Sequence, residues 1–162
     1  MNEVYLSLGS NEGERAGWLN KAIELIEAKC GSVLKKSALY ETMAWGKTDQ
    51  ADFLNMAILV NTKFSPIKLL ARIHEIESML GRQRAIKWGP RTLDIDILLY
   101  GDAILNLPEL TVPHPYMQER RFTLVPLNEI APDVIHPALQ KTIAELLESC
   151  PDKLEVSPIV RS

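Results

Sequence analysis

Two stretches of this chain carry an apolar stripe at helical spacing, and each is stopped by a glycine. In the first, Leu19, Ala22, Ile23, Ile26 and Cys30 recur within a helix expected from about Glu14 to Lys29, and Gly31 ends it. In the second, Ser65 and Pro66 supply a hydroxyl cap and a first-turn proline. Leu69, Leu70, Ile73, Ile76 and Leu80 then form the stripe, and Gly81 closes it. Each helix stands between strands. Val4 to Leu8 precedes the first and Val33 to Thr42 follows it. Phe53 to Lys63 precedes the second and Leu93 to Tyr100 follows it. The order β-α-β-β-α-β is that of a ferredoxin-like α+β fold, an antiparallel sheet with helices on one face. Helical stretches over Phe122 to Ile130 and Thr142 to Ser149 are expected to cover the other face, giving αβα layers. The connections are Met43 to Asp52, the basic stretch Arg82 to Thr92, and Leu107 to Gln118, where Pro108, Pro113 and Pro115 impose a loop. Ala103 to Leu105 is expected as a short edge strand, and the C-terminal tail as frayed.

The length, 162 residues, fits one domain spanning 1–162 and suffices for a core without covalent staples. A net charge of −3 gives no general attraction to nucleic acid or to an anionic membrane, so any basic function must be local. Cys30 and Cys150 are too few for a disulfide framework or a zinc site. The opening MNEVYLSLGSN has neither a basic leader nor a long apolar run, and no stretch approaches the roughly 20 apolar residues that span a bilayer. A cytoplasmic monomer is expected.

Chemistry concentrates in KWGPRTLDIDI, Lys87 to Ile97. On a strand, Asp94 and Asp96 face the same side, roughly 7 Å apart, and Leu93, Ile95, Ile97 and Leu99 face the other. Two carboxylates so placed repel and attract a hard divalent cation, whose other ligands can be water or phosphate oxygens. A solvated strand face is the competing reading, weakened because simple alternation puts Leu98 and Tyr100 on the acidic side. Arg82, Arg84, Lys87 and Arg91 lie just upstream. Guanidinium forks match phosphate oxygens, although a solvated loop is the ordinary fate of a charge run. Beside an acid pair, such cations suit phosphoryl transfer, where positioning and charge neutralisation dominate. Neither GxxxxGK[ST] nor GxGxxG occurs.

WGPRTLDIDILLYG, with YLSLGSN, YETMAWGKTDQADFLN, GRQR and TVPHPYMQERRFTLVPL, resembles the 6-hydroxymethyl-7,8-dihydropterin pyrophosphokinases of the folate pathway, in order and as far as about Ala131. The resemblance implies transfer of diphosphate from ATP to the hydroxymethyl group of 6-hydroxymethyl-7,8-dihydropterin, with release of AMP. It implies two Mg²⁺ ions at Asp94 and Asp96, and ATP phosphates at Arg82 and Arg91. Arg84 and Trp88 fall in a closing segment. His114 and Arg120 match phosphate and nucleotide contacts, and Ile97 and Thr111 match positions near the adenosine. His74 and Glu77, three apart on one helix face, are assigned to the nucleotide pocket.

For the pterin, Phe53 and Asn55 share a strand face. A flat ring stacks on an aromatic surface, and an amide answers an edge of donors and acceptors. Phe122 matches a second stacking ring, Thr42 and Met43 match further contacts, and Trp45 with Gly46 matches a loop that closes over the substrate. Without the resemblance, Phe53 and Phe122 read as core, His114 as a loop histidine, and His136 as structural or exposed. Three departures stand out: Met43 where relatives often have proline, Phe53 for a tyrosine, and Glu109 for a basic residue. Two other functions share these features. An RRM-like RNA-binding module has the same element order. A nucleotidyltransferase would use the same metals but attack the α-phosphorus and release pyrophosphate.

Overall fold

A computed structural model of the chain describes residues 1–10, 15–42, 53–80 and 93–159. The expected loops Met43 to Asp52 and Arg82 to Thr92 lie outside the described residues. So, therefore, do Met43, Trp45, Arg82, Arg84, Trp88 and Arg91.

The main sheet is built from β1 (Asn2–Ser10), β2 (Ser32–Lys36), β3 (Tyr40–Thr42), β4 (Phe53–Thr62), β5 (Asp94–Tyr100) and β10 (Val156–Pro158). Its order is β10-β3-β4-β1-β5, with β2 pairing further along β4, and every pairing is antiparallel. The helices are α1 (Arg15–Lys29), α2 (Pro66–Leu80), α3 (Arg121–Ile130) and α4 (Ile143–Glu148). The fold is the ferredoxin-like α+β arrangement. α1 and α2 bury Leu19, Ile26, Leu69, Ile73 and Ile76 against Val4, Leu6, Leu8, Ile58 and Val60 on one face. α3 and α4 bury Leu124, Leu127, Ile143 and Leu146 against Ala57, Leu98 and Leu99 on the other. Helices therefore pack on both faces of the sheet, and the end of the second face that α3 and α4 leave uncovered carries Asp94 and Asp96. An RNA-reading sheet of the RRM type needs an open face bearing stacked rings and basic groups, and here the open part carries two acids.

Four expectations need correction. The second strand is broken in two. Between β2 and β3, the Ser37 and Ala38 amides find other partners: Ser37 N donates to Ala57 O, and Ala38 N donates to the Glu129 carboxylate of α3. Tyr40 Oη donates to Glu129 Oε1 at 2.6 Å, and burial together with that carboxylate pushes the phenol up to about 12. The acidic face also does not continue into Tyr100. The register of β1 with β5 shifts between Tyr5 opposite Leu99 and Leu6 opposite Ile97, leaving Leu98 as an extra residue. This bulge turns Leu98 and Leu99 both into the second core and Tyr100 into the first. The tail is not frayed as far as residue 159: β10 pairs with β3, and Ile159 N donates to Leu39 O. Finally, the region of the expected edge strand pairs locally, β6 (Leu105–Asn106) with β7 (Thr111–Val112), off the main sheet. A further pair, β8 (Ile135–His136) with β9 (Lys141–Thr142), has no counterpart among the sequence-based expectations.

Candidate active site

Where α3 and α4 leave the second face uncovered, alternation on three neighbouring strands builds a floor. β4 contributes Phe53 and Asn55, β1 contributes Ser7 and Gly9, and β5 contributes Asp94 and Asp96. Cross-strand pairing sets their order. Gly9 is opposite Asn55 on one side and Asp94 on the other, and Ser7 is opposite Ala57 and Asp96. Thr42, paired with Phe53, extends the floor to β3. Phe122 and Arg120, at the start of α3, form one wall, and Pro151, Asp152 and Leu154 form another. The enclosed space is about 650 Å³.

A second cavity, about 420 Å³, adjoins the first. His74 and Glu77 of α2 line it with Ile97, Thr111 and His114. Glu109 lines it as well, beside Pro108. Asp94 and Asp96 line both cavities, and so mark the boundary between them. Glu77 also supports the strand that carries them. Its Oε2 accepts from Ile95 N at 2.9 Å, which satisfies an amide on the outer edge of β5. His114 is tied to the same edge, its backbone N donating to Leu98 O at 3.0 Å. Burial pushes the His114 imidazole below its ordinary value, the Asp96 carboxylate opposes that, and the Arg120 guanidinium reinforces it.

The start of α3 is held from a distance. Arg120 occupies the N-cap position and makes no side-chain cap. Asp152 does so instead: its Oδ2 accepts from Arg121 N at 3.0 Å while its Oδ1 accepts from Leu154 N at 2.9 Å. One carboxylate thus answers an orphan amide of the first turn and fixes the wall segment beside it. The Arg120 guanidinium remains at the cavity, 5.7 Å from the Tyr116 ring centroid and 5.9 Å from that of Phe122.

Three polar side chains of the floor, Ser7, Asn55 and Thr42, are buried beside apolar neighbours. Asn55 is 5% exposed and Thr42 4%. Thr42 Oγ1 has no hydrogen-bond partner among the described residues. Among those residues no group of three or more His, Cys, Asp or Glu side chains is placed to hold a metal ion.

Of the residues singled out from sequence, Thr42, Phe53, Asn55, Phe122 and Arg120 come together in the first cavity. His74, Glu77, Ile97, Thr111 and His114 come together in the second. Sequence reasoning missed Ser7, Gly9, Glu119, Pro151, Asp152 and Leu154. The alternation Val4, Leu6, Leu8 could have pointed to Ser7 and Gly9. Nothing local points to the segment around Asp152, which reaches the site only through tertiary contact.

The family model described as 7,8-dihydro-6-hydroxymethylpterin-pyrophosphokinase (HPPK) matches residues 5–132. A 2-amino-4-hydroxy-6-hydroxymethyldihydropteridine pyrophosphokinase of Aquifex aeolicus is 45% identical over 145 residues, 90% of each chain. The Bacillus subtilis protein of the same name is 46% identical over 134 residues, 82% of this chain and 80% of that one. Among solved structures, Plasmodium falciparum HPPK-DHPS with pteroate superposes with a TM-score of 0.75 at 20% identity, a likeness of fold. That match covers 91% of this chain and 42% of the longer one. The chain belongs to the 7,8-dihydro-6-hydroxymethylpterin-pyrophosphokinase family.

Proposed function

We propose that this pyrophosphokinase carries diphosphate from ATP to the hydroxymethyl group of 6-hydroxymethyl-7,8-dihydropterin across the boundary between its two cavities, as a step of folate biosynthesis. The observation that carries the reading is the position of Asp94 and Asp96, which line both cavities. The pterin occupies the larger one. Phe53 and Phe122 offer ring faces for stacking, and the Asn55 amide offers a donor and an acceptor to the amino-pyrimidinone edge. Thr42 Oγ1, without a partner among the described residues, supports a polar ligand there, because an unsatisfied buried hydroxyl costs about 1–3 kcal/mol. ATP occupies the other cavity, its adenosine near Ile97 and Thr111 and its phosphates toward His114 and Arg120. In the same reading Arg82 and Arg91 supply further phosphate contacts, Arg84 and Trp88 belong to a closing segment on the nucleotide side, Met43 contacts the pterin and Trp45 belongs to a loop that closes over it.

Two Mg²⁺ ions fit this donor set. Two carboxylates with no third such ligand among the described residues suit a cation that keeps water and takes phosphate oxygens as its remaining ligands. Bound there, the ions would neutralise the triphosphate and lower the pKa of the attacking hydroxyl. The chain's own part is to orient. The stacked ring and the amide aim the hydroxymethyl oxygen at the β-phosphorus. A bond forms between them, the bond from that phosphorus to the oxygen bridging to the α-phosphate breaks, AMP leaves with that oxygen, and the hydroxyl proton is released. Holding both reactants at one boundary replaces a bimolecular encounter. His114 lines the nucleotide cavity, where its imidazole can offer a hydrogen bond to the nucleotide.

Operation as a cytoplasmic monomer belongs to the same reading. The compartment is supported by Cys30 and Cys150, both free and buried, as in reducing compartments. Among the described residues no helix is long and apolar enough to cross a membrane.

Product analysis tests the reading. With ATP, Mg²⁺ and reduced pterin, AMP and pterin diphosphate should appear in equal amounts. Release of pyrophosphate would instead mean attack at the α-phosphorus, the nucleotidyltransferase outcome, and no turnover with fully reduced substrate would sink the assignment.

A further inference from the structure

We infer that Gly9 is a positioning residue for this reaction: its missing side chain is the space in which the Asn55 amide lies, at the point of the floor midway between that amide and Asp94. The inference rests on the reading of the larger cavity as the pterin site and adds to it a residue whose contribution is an absence.

Gly9 sits inside β1, paired on both sides, where glycine is a poor choice because it costs chain entropy and offers nothing to pack. The usual justification does not apply. The glycines of positive φ among the described residues are Gly31 and Gly101, and Gly9 is in ordinary strand backbone that any residue adopts. What excludes a side chain is its neighbour. A Cβ on Gly9 would meet Asn55 Oδ1 at 2.8 Å, closer than such atoms approach, with Leu54 O at 3.7 Å and Asn55 Cγ at 3.8 Å. The three nearest atoms all belong to β4, and none to Asp94.

The one intolerable contact is with the tip of a rotatable side chain, not with backbone. A methyl at this position would therefore be accommodated by turning the Asn55 amide, while the strands keep their pairing. Asn55 is 5% exposed, so a turned amide has little freedom to recover its orientation toward the cavity. The fold would tolerate the substitution and the ligand would not.

The experiment is Gly9→Ala in the full chain. Its melting temperature should equal or exceed that of the wild type, because alanine is the better strand residue. Affinity for the pterin, measured calorimetrically with Mg²⁺ and a non-hydrolysable ATP analogue present, should weaken roughly 10- to 100-fold, the effect of misdirecting one buried amide. Affinity for the ATP analogue alone should stay within about twofold, since the three atoms nearest a methyl at this position all belong to β4. Asn55→Ala should weaken pterin binding in the wild type and add little in the Gly9→Ala background, because the amide is already displaced. Unchanged pterin affinity in Gly9→Ala would overturn the inference. So would fully multiplicative losses, or a lowered melting temperature with both ligands weakened alike, which is what a backbone role predicts. A wild-type protein that fails to bind pterin at all would defeat the underlying functional reading, a result distinct from these.

Discussion

On one face of the sheet, Val4, Leu6 and Leu8 of β1 lie under α1 and α2 with no exposed surface. On the other face, the residues between and beyond them, Ser7 and Gly9, line a cavity of about 650 Å³. The same strand therefore contributes to the core and to the site through alternate residues. The difference lies in what covers each face. α1 and α2, of 15 residues each, run across the first. α3 and α4, of 10 and 6 residues, cover only part of the second. The uncovered remainder holds Ser7, Gly9, Thr42 and Asn55 with the ring of Phe53, where the first face has leucine, isoleucine and valine. A ferredoxin-like sheet thus acquires a cavity by leaving one face incompletely roofed, with Asp94 and Asp96 at the far end of that opening.

If the two faces divide the work in this way, damage to one should be separable from damage to the other. The largest expected effect is Leu6→Ala on the first face. It should lower unfolding free energy by about 4 kcal/mol in denaturant titration, from lost burial and a residual cavity. Below its lowered midpoint it should bind pterin and nucleotide as the wild type does; a selective loss of either ligand would break the comparison. Next comes Asp96→Ala on the second face. Turnover should fall roughly 10²- to 10³-fold, while the exposed position keeps the stability change within about 0.5 kcal/mol. An unfolding midpoint that dropped with activity would make the carboxylate structural.

The smallest effect concerns neither face. His136 is 4% exposed, and its Nδ1 accepts from Ala138 N at 3.2 Å and Leu139 N at 3.0 Å, so the ring must be neutral on that side. Burial pushes this imidazole below its ordinary value of 6.5. The unfolded chain then takes up the proton first. The stabilisation is complete above that pH and is lost as pH falls through it toward the folded value. Scanning calorimetry should show Tm declining by roughly 2–4 °C over that window, the worth of about one net hydrogen bond. His136→Asn, whose amide oxygen accepts without titrating, should flatten the decline; an unaltered decline would assign it to other groups.

Much of the candidate site was legible because its residues sit at period-two positions of strands that the sequence marks clearly. Phe53 with Asn55, and Asp94 with Asp96, each share a face for that reason alone. Phe122, Arg120 and His114 carry no such mark, since a ring at a helix start reads as core and a histidine between prolines as loop. Their places came into view through the family motifs.

The local pattern determined the β-α-β-β-α-β order of the core, the two glycine-stopped stripes and the orientation of both acids, because each depends on neighbours a few residues away. Tertiary structure alone decided the rest. The bulge at Leu98 depends on register against β1, which no window of β5 encodes. The break between β2 and β3 depends on Glu129, whose carboxylate takes the freed Ala38 amide from across the chain. The capping of α3 by Asp152 joins positions 31 residues apart. Gly9 has meaning only beside Asn55, and that adjacency exists only once β1 and β4 have paired.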